Sequence, residues 1–238
     1  MPPLSQPQSD SFYLAVAGNI GSGKSSLTTV LSHHFEWKAF YEIVETNPYL
    51  NDFYGDMHRW SFHTQMYFLT KRFHSLQRIL ETKESIVQDR SIYEDAEVFA
   101  RSLYLQGYMT ERDYRTYNEH FEILCEHIRT PDLMVYLRSD VPTLMERISM
   151  RGRTYEKQIE RAYIETLNER YEEWVSRYQR SPLVIIDVSQ RDFLNKAEDL
   201  RQMISLVKWE IDRVSNRLQT KLPLRLKSAS QHLTEGRA

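Results

Sequence analysis

The clearest structural signal in the chain is the sequence Gly18-Asn19-Ile20-Gly21-Ser22-Gly23-Lys24-Ser25. It has the form Gly-x-x-x-x-Gly-Lys-Ser, which indicates phosphate binding when it follows a strand and opens a helix. Residues 12–17 are a short apolar run typical of a buried strand, and residues 24–35 carry apolar side chains at helical spacing. Because both flanking elements are in place, we interpret this stretch as a P-loop.

The residue types of the loop suit the polyphosphate chain of ATP. Its glycines let the backbone curl so that several N–H groups point at one phosphate chain. The helix that follows adds the partial positive charge of its N-terminus. The lysine of such a loop, here Lys24, reaches the β and γ phosphates, and the hydroxyl of Ser25 is suited to ligate Mg²⁺. We predict that residues 18–25 bind ATP and that Lys24 takes part in catalysis.

Strand-like and helix-like segments alternate along the rest of the chain. Short apolar runs recur at residues 39–44, 86–89, 133–137 and 183–187. Helical periodicity occupies residues 61–82, 91–127, 142–151, 156–180 and 191–217. Such alternation is typical of an α/β fold, in which helices cover both faces of a parallel sheet. We therefore predict a parallel sheet of about five strands flanked by helices on both faces.

Two features, a stripe of aromatic side chains and a single cysteine, are interpreted as parts of the core and not as functional sites. Within residues 156–180, large apolar and aromatic side chains fall three or four positions apart: Ile159, Tyr163, Leu167, Tyr171, Trp174 and Tyr178. This spacing predicts a helix that buries one face in the core. The single cysteine, Cys125, has apolar neighbours at helical spacing and is predicted to be a core thiol that forms no disulfide.

Composition predicts a soluble enzyme with a single domain. Of the 238 residues, 41% are hydrophobic and 27% are charged, which suits one large α/β domain. We assign this domain to residues 12–218. Residues 1–11 are expected to be a disordered leader, and residues 219–238 a flexible polar tail.

Charge and hydropathy exclude two classes of partner. The formal net charge of -2 gives no bulk attraction to nucleic acid. No stretch approaches the roughly 18 apolar residues of a membrane span. The N-terminal residues lack the basic and apolar regions of a signal peptide. We therefore expect no nucleic-acid partner, no membrane partner and a cytoplasmic location.

Acidic and basic side chains follow two of the predicted strands. Glu42 lies near the end of the second strand, at the edge where doubly wound sheets bind ligands. A carboxylate there is suited to accept a proton from an attacking hydroxyl, and Glu45 is the competitor for this role. Asp89 ends the third strand, where an acidic residue suits Mg²⁺, and Arg90 adds positive charge beside the transferred group.

Three arginines form a further candidate site for phosphate. Arg147 and Arg151 are four residues apart on one face of a predicted helix, and Arg153 follows Gly152 in a predicted hinge. Clustered arginines repel one another unless an anion lies between them. We interpret them as a mobile, arginine-rich lid that binds ATP and excludes water from the reaction.

Taken together, these motifs resemble the deoxyribonucleoside kinases, the family of the deoxycytidine and deoxyguanosine kinases. The resemblance runs from about residue 12 to about residue 208. It rests on residues 18–25, 41–44, 54–72, 89–95 and 147–156, in the right order and spacing. The run Asp-Arg-Ser-Ile-Tyr-Glu-Asp at 89–95 looks most like the bacterial deoxyadenosine/deoxyguanosine kinases. The resemblance implies a P-loop kinase fold and ATP-dependent phosphorylation of the 5′-hydroxyl of a deoxyribonucleoside, with Mg²⁺ as cofactor.

The resemblance also implies roles at the reacting end of the nucleoside. Glu42 matches the general base at the 5′-hydroxyl, and Arg90 matches the arginine that assists it. Asp89 matches the acidic residue near Mg²⁺. Tyr54 and Glu156 match the pair that holds the sugar 3′-hydroxyl.

Further matches concern the two bases. Gln65 matches the amide that pairs with the nucleobase of the substrate, and Arg72 with Asp95 matches the polar pair beyond it. A carboxamide donates and accepts at once, and a buried arginine needs an acidic partner. Phe193 is expected beside the adenine of ATP. Phe68 is large where some relatives have a small residue, so the shape of the base pocket is expected to differ.

The substrate implied is a purine deoxynucleoside, deoxyadenosine first, with deoxyguanosine and deoxycytidine as open alternatives. Members of the family form dimers through helices after the third strand, which implies a homodimer here. The main rival function is that of a nucleoside monophosphate kinase of the thymidylate kinase type. Its acceptor is already a dianion, so its site needs cations where Glu42 and Glu156 stand. A nucleotide-binding regulatory protein without turnover is a second rival, and the carboxylate of Glu42 counts against it.

Overall fold

The computed structural model describes residues 11–42 and 46–220, without the side chains of 217–220. Residues 1–10 of the predicted leader, residues 221–238 of the predicted tail and the rival carboxylate Glu45 lie outside the described residues. Among the described helices, none has the length and hydropathy that a membrane span requires.

Five parallel strands form one sheet, as the alternation of segments predicted. The strands are β1 (Tyr13–Gly18), β2 (Lys38–Phe40), β3 (Ile86–Asp89), β4 (Leu133–Arg138) and β5 (Leu183–Asp187), in the order β2-β3-β1-β4-β5. In the register of the sheet, Val16 pairs with Asp89 and Gly18 pairs with Leu137. The carboxyl ends of the three central strands therefore meet at one edge, where doubly wound sheets bind their ligands.

Helices connect the strands and follow the last one. They are α1 (Lys24–Phe35), α2 (Leu50–Gly55), α3 (Met57–Glu81), α4 (Ile92–Glu94), α5 (Arg101–Leu105), α6 (Glu111–Cys125), α7 (Val141–Arg151), α8 (Arg161–Arg177) and α9 (Ala197–Thr220). A π-helical segment, Asp95–Ala100, joins α4 to α5, and a 3₁₀ turn, Thr154–Gln158, lies between α7 and α8.

The core has two layers, one on each face of the sheet. Alternate residues of β1 supply the two layers, because successive strand side chains point to opposite faces. Tyr13 and Ala15 belong to the layer covered by α3, α6 and α8, whereas Leu14 and Val16 belong to the layer covered by α1 and α9. The prediction of helices on both faces is confirmed. The predicted stripe of α8 is also confirmed, since Tyr163, Leu167, Tyr171 and Trp174 are buried.

The boundaries of several elements differ from the prediction, mostly because a turn interrupts or precedes a predicted helix. The predicted helix 91–127 is interrupted after α5, where Gly107 adopts a left-handed φ of 78°, a conformation that favours glycine. The helices predicted at 156–180 and 191–217 begin later, at Arg161 and Ala197. Helix α2 was not predicted. Strand β2 ends at Phe40, so Glu42 lies on the connection beyond it.

Candidate active site

The P-loop has the backbone that its glycines predict. Gly18 has a φ of 151°, and a Cβ there would lie 2.5 Å from Ser22 Oγ and 2.9 Å from the carbonyl oxygen of Leu137. Gly23 caps α1 in a left-handed conformation, without a side-chain hydrogen bond to the first turn. The N–H groups at the start of α1 therefore stay available to an anion, as a phosphate cradle requires.

Lys24 is buried beside this cradle. Its Nζ donates to the carbonyl oxygen of Asn19 at 2.9 Å. Burial, and after it the positive charge of Arg90, lowers the pKa of Lys24 to about 8, against the opposing fields of Asp89 and Glu42. An incoming polyphosphate would supply the negative charge that this buried ammonium group otherwise shares with these two carboxylates.

Ser25 and Asp89 lie together, as the metal prediction requires. Ser25 Oγ donates to Asp89 Oδ2 at 2.5 Å. The other carboxylate oxygen, Asp89 Oδ1, is buried and has no hydrogen-bond partner among the described residues. A hydroxyl and an unpaired carboxylate oxygen suit a hard divalent ion that completes its shell with water and phosphate oxygens. No group of three or more His, Cys, Asp or Glu side chains capable of holding a metal exists in the described part of the chain.

Arg90 is held in an uncommon conformation at the end of β3. Its φ is 65°, a left-handed value that is rare outside glycine, while its N–H continues the sheet by donating to Val16 O at 2.9 Å. The guanidinium lies over the ring of Phe99, 4.4 Å from the centroid. Its Nη1 donates to the hydroxyl of Tyr171 at 3.0 Å, and its Nε lies 2.9 Å from Glu42 Oε1. Backbone strain of this kind is typical of functional sites.

Glu42 lies between two arginines. Its Oε1 accepts from Arg72 Nη2 at 2.8 Å and lies 2.9 Å from Arg90 Nε. Burial by itself raises the pKa of Glu42, but the charges of Arg90 and then Arg72 outweigh burial and bring the pKa down to about 2. Glu42 is therefore a carboxylate at every pH near neutrality, despite being mostly buried.

Arg72 joins the predicted base pocket to Glu42. Its Nε donates to Asp95 Oδ2 at 2.9 Å, and its Nη1 donates to the carbonyl oxygen of Asp89 at 3.1 Å. The predicted pairing of Arg72 with Asp95 is present in the structure. The additional bond from Arg72 to Glu42 was not predicted, because the sequence gives no measure of how close α3 comes to the connection after β2. Asp95 opens the π-helical segment, an irregularity that is frequent at functional sites.

One cavity of about 100 Å³ connects the P-loop to these side chains. It is lined by Lys24, Ser25, Glu42, Tyr54, Gln65, Phe68, Arg90, Asp95, Arg151, Arg153 and Glu156, among others. The predicted nucleoside-binding residues thus meet at one place, apart from Arg72, which lies behind Glu42 and Asp95. Gln65 is buried, and its amide makes no hydrogen bond to any described residue.

The three arginines that were predicted to form a lid do not form one cluster. Arg151 donates from Nε to Glu156 Oε2 at 3.0 Å and from Nη2 to Oε1. Arg153 Nη1 lies 3.7 Å from Glu156 Oε1. Arg147 instead donates from Nη2 to the carbonyl oxygens of Val188 and Arg191, each at 2.9 Å. The anion between two of the arginines is thus Glu156, on the 3₁₀ turn, and the third arginine braces the loop after β5.

A second, larger cleft of about 720 Å³ also borders the P-loop. Gly21 and Gly23, Arg147 and Arg151, and residues 189–195 line it. Phe193 is buried at its wall, so close that a Cβ on Gly23 would lie 3.0 Å from the ring. The two cavities share Gly21 and Arg151, so the P-loop borders both of them.

Two residues of this region had no assigned role in the sequence analysis. Glu94 and Tyr171 contact Gly18 and Arg90 through hydrogen bonds in the core. The sequence carries one signal for Glu94, since Ser91-x-x-Glu94 is the pattern of a helix capping box, and the structure contains this box. Tyr171 carries no such signal, because its spacing on α8 predicts only burial.

Comparison with known proteins points to one family. A model of that family, described as deoxynucleoside kinase, matches residues 14–212. The deoxyadenosine/deoxycytidine kinase of Bacillus subtilis (strain 168) is 39% identical over 196 residues, which cover 82% of this chain and 90% of that protein. The deoxyadenosine kinase of Dictyostelium discoideum is 36% identical over 195 residues, covering 81% of this chain and 77% of that protein.

Solved structures give the same result for the fold. Deoxyadenosine kinase from M. mycoides, with bound dCTP or bound dATP, superimposes with a TM-score of 0.72 at 30% identity. The match covers 84% of this chain and 98% of that chain. The family match spans the P-loop, the segments after β2 and β3 that carry Glu42 and Arg90, and both cavities. This chain therefore belongs to the deoxynucleoside kinase family.

Proposed function

We propose that the protein transfers the γ-phosphate of ATP to the 5′-hydroxyl of a deoxyribonucleoside, with deoxyadenosine as the preferred substrate. The observation that carries the proposal is the small cavity, which is lined by Lys24, by Glu42 and by Gln65. The amide of Gln65 has no hydrogen-bond partner among the described residues. A nucleoside placed with its base at Gln65 would direct its 5′-hydroxyl toward Glu42 and the P-loop.

ATP is proposed to occupy the larger cleft and the P-loop. Residues 18–25 would bind its phosphates through backbone N–H groups and Lys24. Arg151 and Arg153 would act as the lid, exchanging part of their bonds to Glu156 for phosphate oxygens, and Arg147 would hold the loop of Phe193 beside the adenine. Ser25 and Asp89 would hold Mg²⁺, which when bound neutralises charge on the transferred phosphate.

The nucleoside is proposed to be held by side chains that already lie in the cavity. Glu42 would orient the 5′-hydroxyl and accept its proton, while Arg90 keeps that carboxylate in place. Tyr54 and Glu156 would hold the 3′-hydroxyl. A carboxylate has about four acceptor sites, so Glu156 can accept this hydroxyl while it remains paired with Arg151. The base would meet Gln65, with the Arg72–Asp95 pair beyond it.

The pairing of charges in the cavity favours a nucleoside over a nucleoside monophosphate. Arg72 and Arg90 contact Glu42, and Arg151 and Arg153 contact Glu156. A monophosphate acceptor would bring a dianion next to these two carboxylates. A thymidylate kinase type of reaction is therefore not favoured.

Further properties are proposed from the family and from composition. We expect a homodimer formed through helices after β3, a cytoplasmic location and a role in nucleotide salvage. Size-exclusion chromatography with light scattering measures the oligomeric state directly.

The test of the proposed function is a panel of acceptors, each with ATP and Mg²⁺. Deoxyadenosine should give a higher kcat/KM than adenosine, because Tyr54 and Glu156 favour a 3′-hydroxyl and leave little room at the 2′ position. Deoxyguanosine and deoxycytidine should be used less well, and deoxyadenosine monophosphate should not be used. Efficient phosphorylation of a monophosphate would overturn the proposal, and equal use of adenosine would remove Tyr54 and Glu156 from the sugar site.

The preference of the enzyme among nucleobases should depend on the Arg72–Asp95 pair. Thymidine should be a poor substrate, because its 5-methyl group would desolvate this charged pair. Replacing both residues, Arg72→Met with Asp95→Ala, avoids leaving one buried charge unpaired, which typically costs about 3–5 kcal/mol. The double variant should be slower with every substrate, since Arg72 also contacts Glu42.

The ratio of kcat/KM for thymidine to that for deoxyadenosine should nevertheless rise in the double variant. Gln65→Ala is the matched control, because its amide faces a base edge and should reduce the use of both nucleosides without reversing the preference. Efficient thymidine phosphorylation by the wild type would show that the charged pair does not determine the choice of base.

A further inference from the structure

Glu94 is a buried carboxylate whose hydrogen-bonding capacity is fully used. Its side chain lies at 0% exposure. Oε1 accepts from the Gly18 N–H at 3.1 Å and from the Tyr171 hydroxyl at 2.9 Å. Oε2 accepts from the Ser91 N–H at 2.7 Å and from Ser91 Oγ at 3.0 Å. Among the described ion pairs Glu94 has none, so hydrogen bonds replace a cationic partner.

These bonds join three parts of the active site. Gly18 is the last residue of β1 and the first of the P-loop, Ser91 follows Arg90, and Tyr171 lies on α8, which follows the lid. Tyr171 also accepts from Arg90 Nη1 at 3.0 Å. Because a guanidinium only donates, the phenol oxygen must be the acceptor there, and its proton points to Glu94. A directed chain therefore runs from Arg90 through Tyr171 to Glu94.

A helix cap alone does not need a carboxylate at this position. The capping box requires one acceptor for the Ser91 N–H, which glutamine also provides. What glutamate adds is the second oxygen, which binds Gly18 and Tyr171. Glu94 borders neither of the two cavities, so it contacts neither ATP nor nucleoside directly.

We propose that Glu94 is a positioning residue that holds the P-loop and Arg90 in register, with Tyr171 as its link to Arg90. The proposal rests on the proposed role of Arg90 beside Glu42. Through Gly18 the carboxylate fixes where the phosphate loop leaves the sheet. Through Tyr171 it fixes the direction of the guanidinium that contacts the proposed base. One buried side chain thus sets the distance between the γ-phosphate of ATP and the 5′-hydroxyl of the nucleoside. The rate of phosphoryl transfer depends steeply on this distance.

The first test is Glu94→Gln, measured by steady-state kinetics and by calorimetric titration of ATP without nucleoside. An amide has one oxygen, so its NH₂ group must face either Gly18 or Ser91. Hydroxyl groups can turn to accept from it, but a backbone N–H cannot. We expect a loss of about 10- to 100-fold in kcat, the effect of one buried donor left without its acceptor. The Kd for ATP should rise by about tenfold, because Gly18 belongs to the P-loop.

The second test is Tyr171→Phe, which removes the link to Arg90 and leaves Glu94 bonded to Gly18. Here kcat should fall by about tenfold, while the Kd for ATP should stay within about twofold of the wild type. Tyr136→Phe is the matched control. Tyr136 stacks on Tyr171 with centroids 5.7 Å apart, but its hydroxyl donates to Glu172 and touches neither Glu94 nor Arg90. This control should keep the wild-type kcat.

The double variant that combines Glu94→Gln with Tyr171→Phe separates a positioning role of Glu94 from a general loss of stability. If Glu94 acts on Arg90 through Tyr171, the loss of kcat in the combined variant should be smaller than the product of the single losses. Fully multiplied losses, or a kcat and an ATP Kd of Glu94→Gln within about twofold of the wild type, would overturn the proposal.

Two further outcomes keep the test decisive. If Glu94→Gln does not fold, equal kcat values for Tyr171→Phe and Tyr136→Phe would still overturn the link to Arg90. If the wild type phosphorylates no nucleoside, the proposed function fails, whereas the ATP titrations still test the contact of Glu94 with Gly18.

Discussion

Replacing Lys24 by alanine should reduce kcat by several orders of magnitude while the protein stays folded. Catalysis of phosphoryl transfer is almost entirely positioning and electrostatic stabilisation, and Lys24 is the cation on the P-loop itself. Its ammonium group is buried and bonds to the carbonyl oxygen of Asn19. After its removal the carbonyl oxygen of Asn19 still accepts from the Ser22 N–H at 3.2 Å, and a buried charge is lost, so the free energy of unfolding should change little.

The measurement is kcat with ATP and deoxyadenosine, with circular dichroism and Tm as controls for the fold. The wild type supplies an independent check on the same lysine. The pKa of Lys24 is lowered to about 8 in the unliganded enzyme, so its charge is present below that pH and is lost above it. Since kcat/KM reports groups of the free enzyme, kcat/KM for ATP should decline above about pH 8. A Lys24→Ala variant that keeps more than a tenth of the wild-type rate would contradict the P-loop assignment.

The sheet and the P-loop could be predicted because their signals are local. An apolar run, a glycine-rich loop and a helical pattern specify β1, residues 18–25 and α1 without knowledge of the rest of the chain. The alternation of segments then specifies a parallel sheet, and a parallel sheet brings Asp89 to the same edge as Ser25. Their hydrogen bond is a consequence of topology that the sequence pattern already contains.

The network around Glu42 could not be predicted in the same way. It depends on how closely α3 and α8 approach the strand ends, and periodicity reports which face of a helix is buried but not what a buried polar atom contacts. Tyr171 is the clearest case, since its ring packs in the core as predicted and its hydroxyl contacts Arg90 and Glu94. Arg72 is similar, because the prediction gave it one acidic partner and the structure gives it two.

The three arginines predicted to form a lid could be predicted only in part. The repulsion expected among Arg147, Arg151 and Arg153 predicted an anion among all three, whereas in the structure only Arg151 and Arg153 contact a carboxylate. The sequence suggested the phosphates of ATP for this anion, whereas Glu156 occupies the position in the structure. Glu156 is only three residues beyond Arg153, and the sequence pattern does not show whether its side chain reaches back to the arginines.

Replacing Glu42 by glutamine should produce the second large loss. Glutamine keeps the shape of the side chain and an oxygen for Arg72 and Arg90, but it cannot accept the proton of the 5′-hydroxyl. General base catalysis is typically worth about 10²–10⁴-fold, and we expect a loss of kcat in that range. The KM for the nucleoside should change little, because the contacts proposed for Gln65 with the nucleobase and for Tyr54 and Glu156 with the sugar would remain in place.

The activity of the wild type at acidic pH should agree with the assignment of Glu42 as the general base. The charges of Arg90 and Arg72 outweigh burial and hold the pKa of Glu42 at about 2, so its carboxylate is ionised at any pH well above that value. Protonation of Glu42 should therefore impose no decline of kcat/KM between pH 7 and about pH 5. Glu45→Gln is the control for the Glu42→Gln variant, because Glu45 is the other carboxylate of the same segment. Should Glu45→Gln lose the activity and Glu42→Gln retain it, the base would be Glu45, and the two arginine contacts of Glu42 would be structural only.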